Sequence, residues 1–240
     1  GGGVATVYLD SVTMPPAMFV ECGRVFRALS ADDAVKCVIV RAGTQKPHFS
    51  YGLDLKQAGG TLMTSKLDGP RHHLHKLVHE WQEGFNAIAE CRAPVIAAVE
   101  GWCIGAGLDL ISAADVRLCS KDAKISLREA ALGIVADLGS LQRCPTIIGD
   151  SNTRMMALTA CDVGSDKALR MGLVSEVYED AGELYREAEA MADKMASLDP
   201  NCLMGIKKVM NRARDAGVKD GLEYVSAWNS AHIPLQDLAA

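Results

Sequence analysis

The stretch from Pro94 to Leu110 constrains this chain most. It reads Pro94-Val95-Ile96-Ala97-Ala98-Val99-Glu100-Gly101-Trp102-Cys103-Ile104-Gly105-Ala106-Gly107-Leu108-Asp109-Leu110. Small and β-branched residues through Val99 suit a short strand buried on both faces. A glycine-rich turn then leads into a helix expected from about Leu108 to Ala114. Such a turn lets backbone N–H groups approach a ligand, and the helix N-terminus favours negative charge there. A dinucleotide-binding fingerprint needs a third glycine where Leu110 stands, and a P-loop needs Gly-Lys-Ser/Thr, which is absent. Two readings remain open from spacing alone: an anion or oxyanion site, and simple close packing of helix on strand.

The rest of the chain repeats the alternation. Val4–Leu9 and Val35–Arg41 read as strands around an amphipathic helix, Ala17–Leu29, with Phe19, Cys22, Val25, Phe26 and Leu29 on one side. Further short strands are expected at Val116–Cys119 and Ala123–Leu127. From Met155 onward the pattern is helical, broken by Gly164, Gly172 and Gly217, with loop-like breaks earlier at Gly59-Gly60 and Asp68-Gly69-Pro70. That order predicts an α/β core followed by a helical C-terminal region. With 240 residues, 49% hydrophobic and 23% charged, the chain can bury a sizeable core and is not of disordered composition. A formal net charge of -5 gives no bulk footprint for nucleic acid. No apolar run approaches the roughly 18 residues of a membrane span, and Gly1-Gly2-Gly3-Val4 shows no signal-peptide core. Eight cysteines are scattered with no C-x-x-C pair, several in apolar runs, which points to a reducing compartment.

Three carboxylates follow the glycine-rich turn. Asp109 falls in the first turn of its helix, where the dipole alone favours an acid. Glu129 lies among apolar residues beside Arg128, a ready ion-pair partner. Asp137 precedes Leu138-Gly139-Ser140, where it could act as a plain N-cap. Together, however, acids near apolar, glycine-rich segments suit proton transfer, because desolvation and mutual repulsion raise a carboxyl pKa toward neutrality. His72, His75 and His79 share one helix face, but Glu80 follows His79 rather than His75, so the zincin pattern fails. No metal is expected, and a solvated helix near an active site is the preferred reading. Phe49-Ser50-Tyr51-Gly52-Leu53-Asp54-Leu55 taken alone is a common glycine-centred loop. Neither Ser50 nor Ser140 sits in G-x-S-x-G, so nucleophilic catalysis has no support.

The Pro94–Leu110 segment resembles the signature of the crotonase (enoyl-CoA hydratase/isomerase) superfamily, and the likeness runs from Val7-Tyr8-Leu9 to Gln236-Asp237-Leu238. Within it the chain is most similar to the dienoyl-CoA isomerase branch, through Gly133–Arg143, Ala168–Ser175 and Tyr224–Asn229. The resemblance implies a crotonase-like spiral of ββα units over residues 1–175 and a C-terminal helical trimerisation region over 176–240. It also implies a homotrimer or dimer of trimers, and residence in the mitochondrial matrix or the peroxisome. The substrate it implies is an acyl-CoA thioester, with no cofactor, nucleic acid or membrane span. The thioester oxygen would sit between the backbone N–H groups of Leu53 and Ala106, with Ser50, Gly52, Asp54, Gly105 and Gly107 lining the substrate. Asp109 and Glu129 match the two hydratase carboxylates, and Asp137 stands where hydratases carry glycine and dienoyl isomerases aspartate.

Two departures stand out: alanine occupies position 106 where glycine is usual, and Asp10-Ser11 runs directly into Val12-Thr13-Met14-Pro15-Pro16 in place of the family's Asn-Arg-Pro and Asn-Ala. The implied reaction shifts a 3,5-dienoyl-CoA to its 2,4 isomer, removing a proton at C2 and delivering one at C6. Glu129 and Asp137 would be the proton-transferring pair, Asp137 taking the C2 proton, with Asp109 holding or tuning Glu129. The alternatives are a 2-enoyl-CoA hydratase working through Asp109 and Glu129, and a non-catalytic fold member that binds acyl-CoA or RNA. The acidic balance weighs against RNA, and three retained acids weigh against a dead site.

Overall fold

A computed structural model describes residues 2–43, 47–58 and 72–216, with side chains omitted at 72–75. In chain order the elements are β1 (Val4–Leu9), α1 (Pro16–Ala31), β2 (Cys37–Ala42), α2 (His72–Glu90), β3 (Val95–Val99), β4 (Trp102–Ile104), α3 (Ala106–Ala113), β5 (Val116–Ser120) and β6 (Lys124–Ser126). A 3₁₀ turn at Glu129–Leu132 follows, then α4 (Ser140–Ile148), α5 (Asp150–Thr159), β7 (Asp162–Gly164), α6 (Ser165–Met171), β8 (Glu176–Tyr178), α7 (Ala181–Ala196) and α8 (Pro200–Ala216).

Five strands form a parallel sheet in the order β1-β2-β3-β5-β8, and β4-β6-β7 form a smaller sheet beside it. Successive strands β3, β4, β5 and β6 alternate between the two sheets, which winds the chain into the expected spiral. A parallel sheet must be covered on both faces, and the two-residue period of the strands sorts the side chains accordingly. Cys37, Ile39, Ile96, Ala98 and Leu118 face α7, where Leu184, Ala188 and Ala192 meet them. Val38, Val40, Val95, Ala97 and Val99 face the larger core, filled from α1, α2 and α3.

Several expectations shift in detail. Residues 102–104, expected as part of a turn, form β4 in parallel pairing with β6, and α3 begins at Ala106 rather than Leu108 because Gly105, at φ 54°, ends the strand one residue before the helix. The region after Met155 is not continuously helical, since β7 pairs with β6 and β8 with β5. Three-residue strands are too short to show a period, and their pairing partners lie far away in sequence. β8 and α7 complete the main sheet layer, so residues 176–196 are packed into the α/β core. The part of the expected trimerisation region from 217 onward, the Tyr224–Asn229 segment of the family resemblance, and the loop-like breaks at 59–60 and 68–70 lie outside the described residues. All eight cysteines are free, and five of them are buried. Among the described residues no helix is long and apolar enough to cross a membrane.

Two packing devices place the helices around the site. α1 crosses α2 closely: Phe19 stacks on Trp81 with ring centroids 5.1 Å apart and meets Phe85 edge-on at 5.4 Å. The crossing depends on glycine, because a Cβ at Gly84 would fall on the Phe19 backbone carbonyl. α8 is fixed by Lys207, whose buried ammonium donates to Asp115 Oδ2 at 2.7 Å and to the carbonyls of Ile88 and Ala93 at 3.2 and 3.3 Å. Both charges are thus paired and hydrogen-bonded, as burial demands. Gly84→Ala is expected to destabilise the protein by about 1–3 kcal/mol through overpacking, despite alanine's better helix propensity. Urea unfolding checks this, and an unchanged midpoint would show that the helices can part freely.

Candidate active site

The site forms where two glycine turns meet. The segment Phe49–Ile104 closes on itself as the Phe49 N–H donates to Glu100 O, Ser50 N–H to Trp102 O, and Ile104 N–H back to Ser50 O, each at 2.9 Å. Residues 49–52 are thereby laid along β4. Gly52, at φ 81°, turns the chain here, and its N–H donates to Ser50 Oγ at 3.0 Å. A Cβ at Gly52 would stand 2.8 Å from the Ile104 carbonyl oxygen and 3.4 Å from the Ala106 nitrogen. The backbones of residues 52–53 and 104–106 therefore abut. Gly107 permits the same closeness one residue further on, since its Cβ would lie 3.1 Å from Ser50 Cβ and 3.2 Å from Cys103 Sγ.

Ala106 is the first residue of α3, so its N–H has no acceptor within the helix. Among the described residues the Leu53 N–H donates to no backbone carbonyl, although its neighbours are tied down by Met14 N–H to Gly52 O at 2.7 Å and Asp54 N–H to Met14 O at 2.9 Å. The Ala106 N–H is thus left over at the start of a helix, beside the Gly52–Leu53 backbone, and a helix start favours an anionic oxygen. Asp54 stands apart from them in its bonding. Its carboxylate accepts from the N–H groups of Gln57 and Lys56 and from the Thr13 hydroxyl, and these bonds, Gln57 first, hold its pKa below the usual value. It is a cap for the helical turn at 55–58.

The three expected carboxylates converge on the other side of the Gly105 turn. Asp109 is buried on α3, and its Oδ1 accepts the Ser140 N–H at 2.6 Å. Burial pushes its pKa up to about 7; Ser140 opposes the rise, and the charges of Glu129 and Asp137 add to it. Glu129, at the start of the 3₁₀ turn, places Oε1 2.9 Å from where a Gly105 Cβ would be. Among the described residues its Oε2 is buried without a hydrogen-bond partner. Desolvation raises its pKa, and Asp137 raises it further. Asp137 lies in the irregular segment between the 3₁₀ turn and α4; the residue is exposed, yet its carboxyl loses enough water to titrate above the ordinary range. The simpler alternatives for two of these residues fail. Arg128 forks onto Asp162 at 2.7 and 2.8 Å rather than onto Glu129, and α4 is preceded by Gly139, with no capping bond from Asp137.

Residues that sequence reasoning passed over also reach the site. Gln82 and Asn86 of α2, with Arg143 of α4, surround the Asp137–Gly139 turn and border a cavity of about 570 Å³ between α2, α4 and α8. The spacing of Gln82 and Asn86 marks one helix face, but nothing local names their partners. Among the described residues no group of three or more histidine, cysteine or acidic side chains is disposed to hold a metal ion. His72 and His75 belong to the residues whose side chains are not described.

A family model described as enoyl-CoA hydratase/isomerase matches residues 2–229, and the chain belongs to that family of enzymes. It is 39% identical over 224 residues to the peroxisomal Delta(3,5)-Delta(2,4)-dienoyl-CoA isomerase of Arabidopsis thaliana, covering 92% of this chain and 80% of that one. It is 36% identical over 223 residues to the human mitochondrial Delta(3,5)-Delta(2,4)-dienoyl-CoA isomerase, covering 91% of this chain and 66% of the relative. Among solved structures, a Thermobifida fusca protein in complex with acetoacetyl-CoA superposes with a TM-score of 0.84 at 26% identity, over 96% of this chain and 91% of that one. The enoyl-CoA hydratase of Bacillus anthracis shares the fold with a TM-score of 0.87 at 23% identity, over 97% and 88% of the two chains.

The raised acids carry a stability cost with a defined sign. Asp109 binds its proton to about pH 7 when folded but only to about pH 3.8 when unfolded. Between those values the unfolded state holds fewer protons, so stability falls as pH rises. Asp109→Asn keeps an oxygen for the Ser140 N–H and removes the buried charge. Its melting temperature is expected to exceed that of the parent at pH 8, with the gain shrinking toward pH 5. A gain that is equal at both pH values would contradict the burial account.

Proposed function

We propose that this enzyme isomerises 3,5-dienoyl-CoA thioesters to their 2,4 isomers, as part of the breakdown of unsaturated fatty acids. The observation that carries this reading is Asp137, a third carboxyl in the cluster of Asp109 and Glu129. The identity to relatives named for this reaction accords with it.

In the proposed mechanism the thioester oxygen accepts hydrogen bonds from the Leu53 and Ala106 N–H groups. Loss of a C2 proton leaves an extended enolate whose charge collects on that oxygen, where fixed donors stabilise it most. Removing one such donor typically costs on the order of 3 kcal/mol. The electron pair moves along the conjugated chain and a proton is added at C6, so atoms and charge balance without cofactor or oxidant. Asp137 takes the C2 proton and Glu129 serves the other end. Both have pKa values raised toward the range in which a carboxyl can take and return a proton. Asp109, fixed by Ser140, keeps a third negative charge or proton close by and thereby tunes Glu129.

A homotrimer or dimer of trimers belongs to the same proposal. The exposed apolar side chains of Leu132, Ile134 and Val135, between the two proton-transferring acids, suit burial against another copy. The mitochondrial matrix and the peroxisome are the compartments in the relatives' names, and either matches eight free thiols.

The test is spectroscopic. With 3,5-octadienoyl-CoA the product's double bonds become conjugated with the thioester, which moves its ultraviolet absorption to longer wavelength. With crotonyl-CoA, hydration removes conjugation instead. The enzyme is expected to act on the first and only weakly on the second. Asp137→Asn should lower isomerisation by about 10²–10⁴-fold, because an amide cannot take and return a proton. Isomerisation at the parent rate in that variant, or fast hydration with no isomerisation, would replace this reading by the hydratase one.

A further inference from the structure

Asp109 and Asp137 depend on one short turn. Ser140 N–H, which holds Asp109 Oδ1 at 2.6 Å, is three residues from Asp137, and only Leu138 and Gly139 lie between them. The turn is gripped from outside the acid cluster. Gln82 Nε2 donates to the Asp137 carbonyl oxygen at 2.7 Å. One helical turn on, Asn86 Oδ1 accepts from Arg143 Nη2 at 2.6 Å, and Arg143 Nη1 reaches the Leu138 carbonyl at 3.4 Å. The Arg143 guanidinium lies where a Cβ of residue 139 would stand, and Gly139, at φ 122°, holds a backbone conformation that other residues rarely adopt. Successive carbonyls of the turn are thus held by two α2 side chains, one directly and one through an arginine of α4.

We infer that Gln82, Asn86 and Arg143 are positioning residues, which set where the Asp137 carboxyl stands relative to Glu129 and the substrate chain. This rests on the proton-transfer role proposed for Asp137. None of the three needs to touch the reacting atoms. Their side chains fix backbone oxygens, and a carboxyl on an exposed turn has few other restraints. Proton transfer demands heavy-atom separations near hydrogen-bond length, so an error of about 1 Å can cost on the order of 10²-fold in rate. A misplaced proton-transfer group weakens the transition state rather than ground-state binding, and so the effect should fall on kcat.

The experiment is a double-mutant cycle with 3,5-octadienoyl-CoA as the probe. Asn86→Ala and Gln82→Ala are each expected to lower kcat by on the order of tenfold or more, with KM changed less than about twofold. Asn86→Asp retains an oxygen acceptor for Arg143 and should recover most of the rate, which separates positioning from loss of fold. Placed on Asp137→Asn, Asn86→Ala should cost less than about twofold more, since nothing remains to be positioned. If Asp137→Asn is inactive but Asn86→Ala keeps the parent kcat, the positioning role is overturned alone. An equal loss from Asn86→Ala in both backgrounds, or an Asn86→Asp variant as impaired as the alanine one, overturns it too. If Asp137→Asn isomerises at the parent rate, the functional reading fails and takes this inference with it.

Discussion

The contact between the Gly52 turn and the backbone of residues 104–106 is the constraint on which the rest depends. Gly52, Gly105 and Ala106 are buried there, and position 52 leaves no room for a side chain. A Cβ at Gly52 would stand too close to Ile104 O and would touch Ala106 N, and Gly105 leaves the space that Glu129 Oε1 occupies. Gly52 therefore lets its turn close on residues 104–106, and Gly105 admits a carboxylate beside it. The parallel sheet supports this from below: β3 is wholly buried, β4 leaves it for the second sheet, and α3 returns with its N-terminus at the crossing. Burial of the strand fixes the turn from which the helix starts.

Around that fixed point the acids are held against their own electrostatic preference. Asp109 is buried with Ser140 as its hydrogen-bond partner, and among the described residues Glu129 has a buried oxygen with no hydrogen-bond partner. A fold selected for stability alone would pair or remove such groups. Arg128 is close in sequence and could neutralise Glu129, yet it is committed to Asp162. The cost is offset elsewhere, by the dry sheet-helix core and by anchors such as Lys207 on Asp115. Unpaired buried acids with raised pKa values are a feature of proton-transfer sites, where environment sets the titration range to the task.

Much of this was legible in the sequence because the informative signals were local. The buried strand, the glycine turn and the acid in the first turn of α3 all fall within Pro94–Leu110, and β1, α1 and β2 each carry their own period. The resemblance of that segment supplied the partner turn at Gly52–Leu53, which composition and spacing left as an ordinary loop. What escaped was set at long range. β7 and β8 exist only because β6 and β5 offer them edges. The roles of Gln82 and Asn86 depend on a turn more than fifty residues away, and no periodicity encodes such a partner. Asp54 lies in the same motif, and local N–H groups use its carboxylate as a cap.

The central claim is geometric, and a crystal structure of the enzyme with a bound acyl-CoA product tests it most directly. The account predicts the thioester oxygen within about 2.7–3.2 Å of both the Leu53 and the Ala106 nitrogens, with the acyl chain running between Glu129 and Asp137. A thioester oxygen bonded to neither nitrogen, or an acyl chain that leaves both carboxyls on one side, would contradict it.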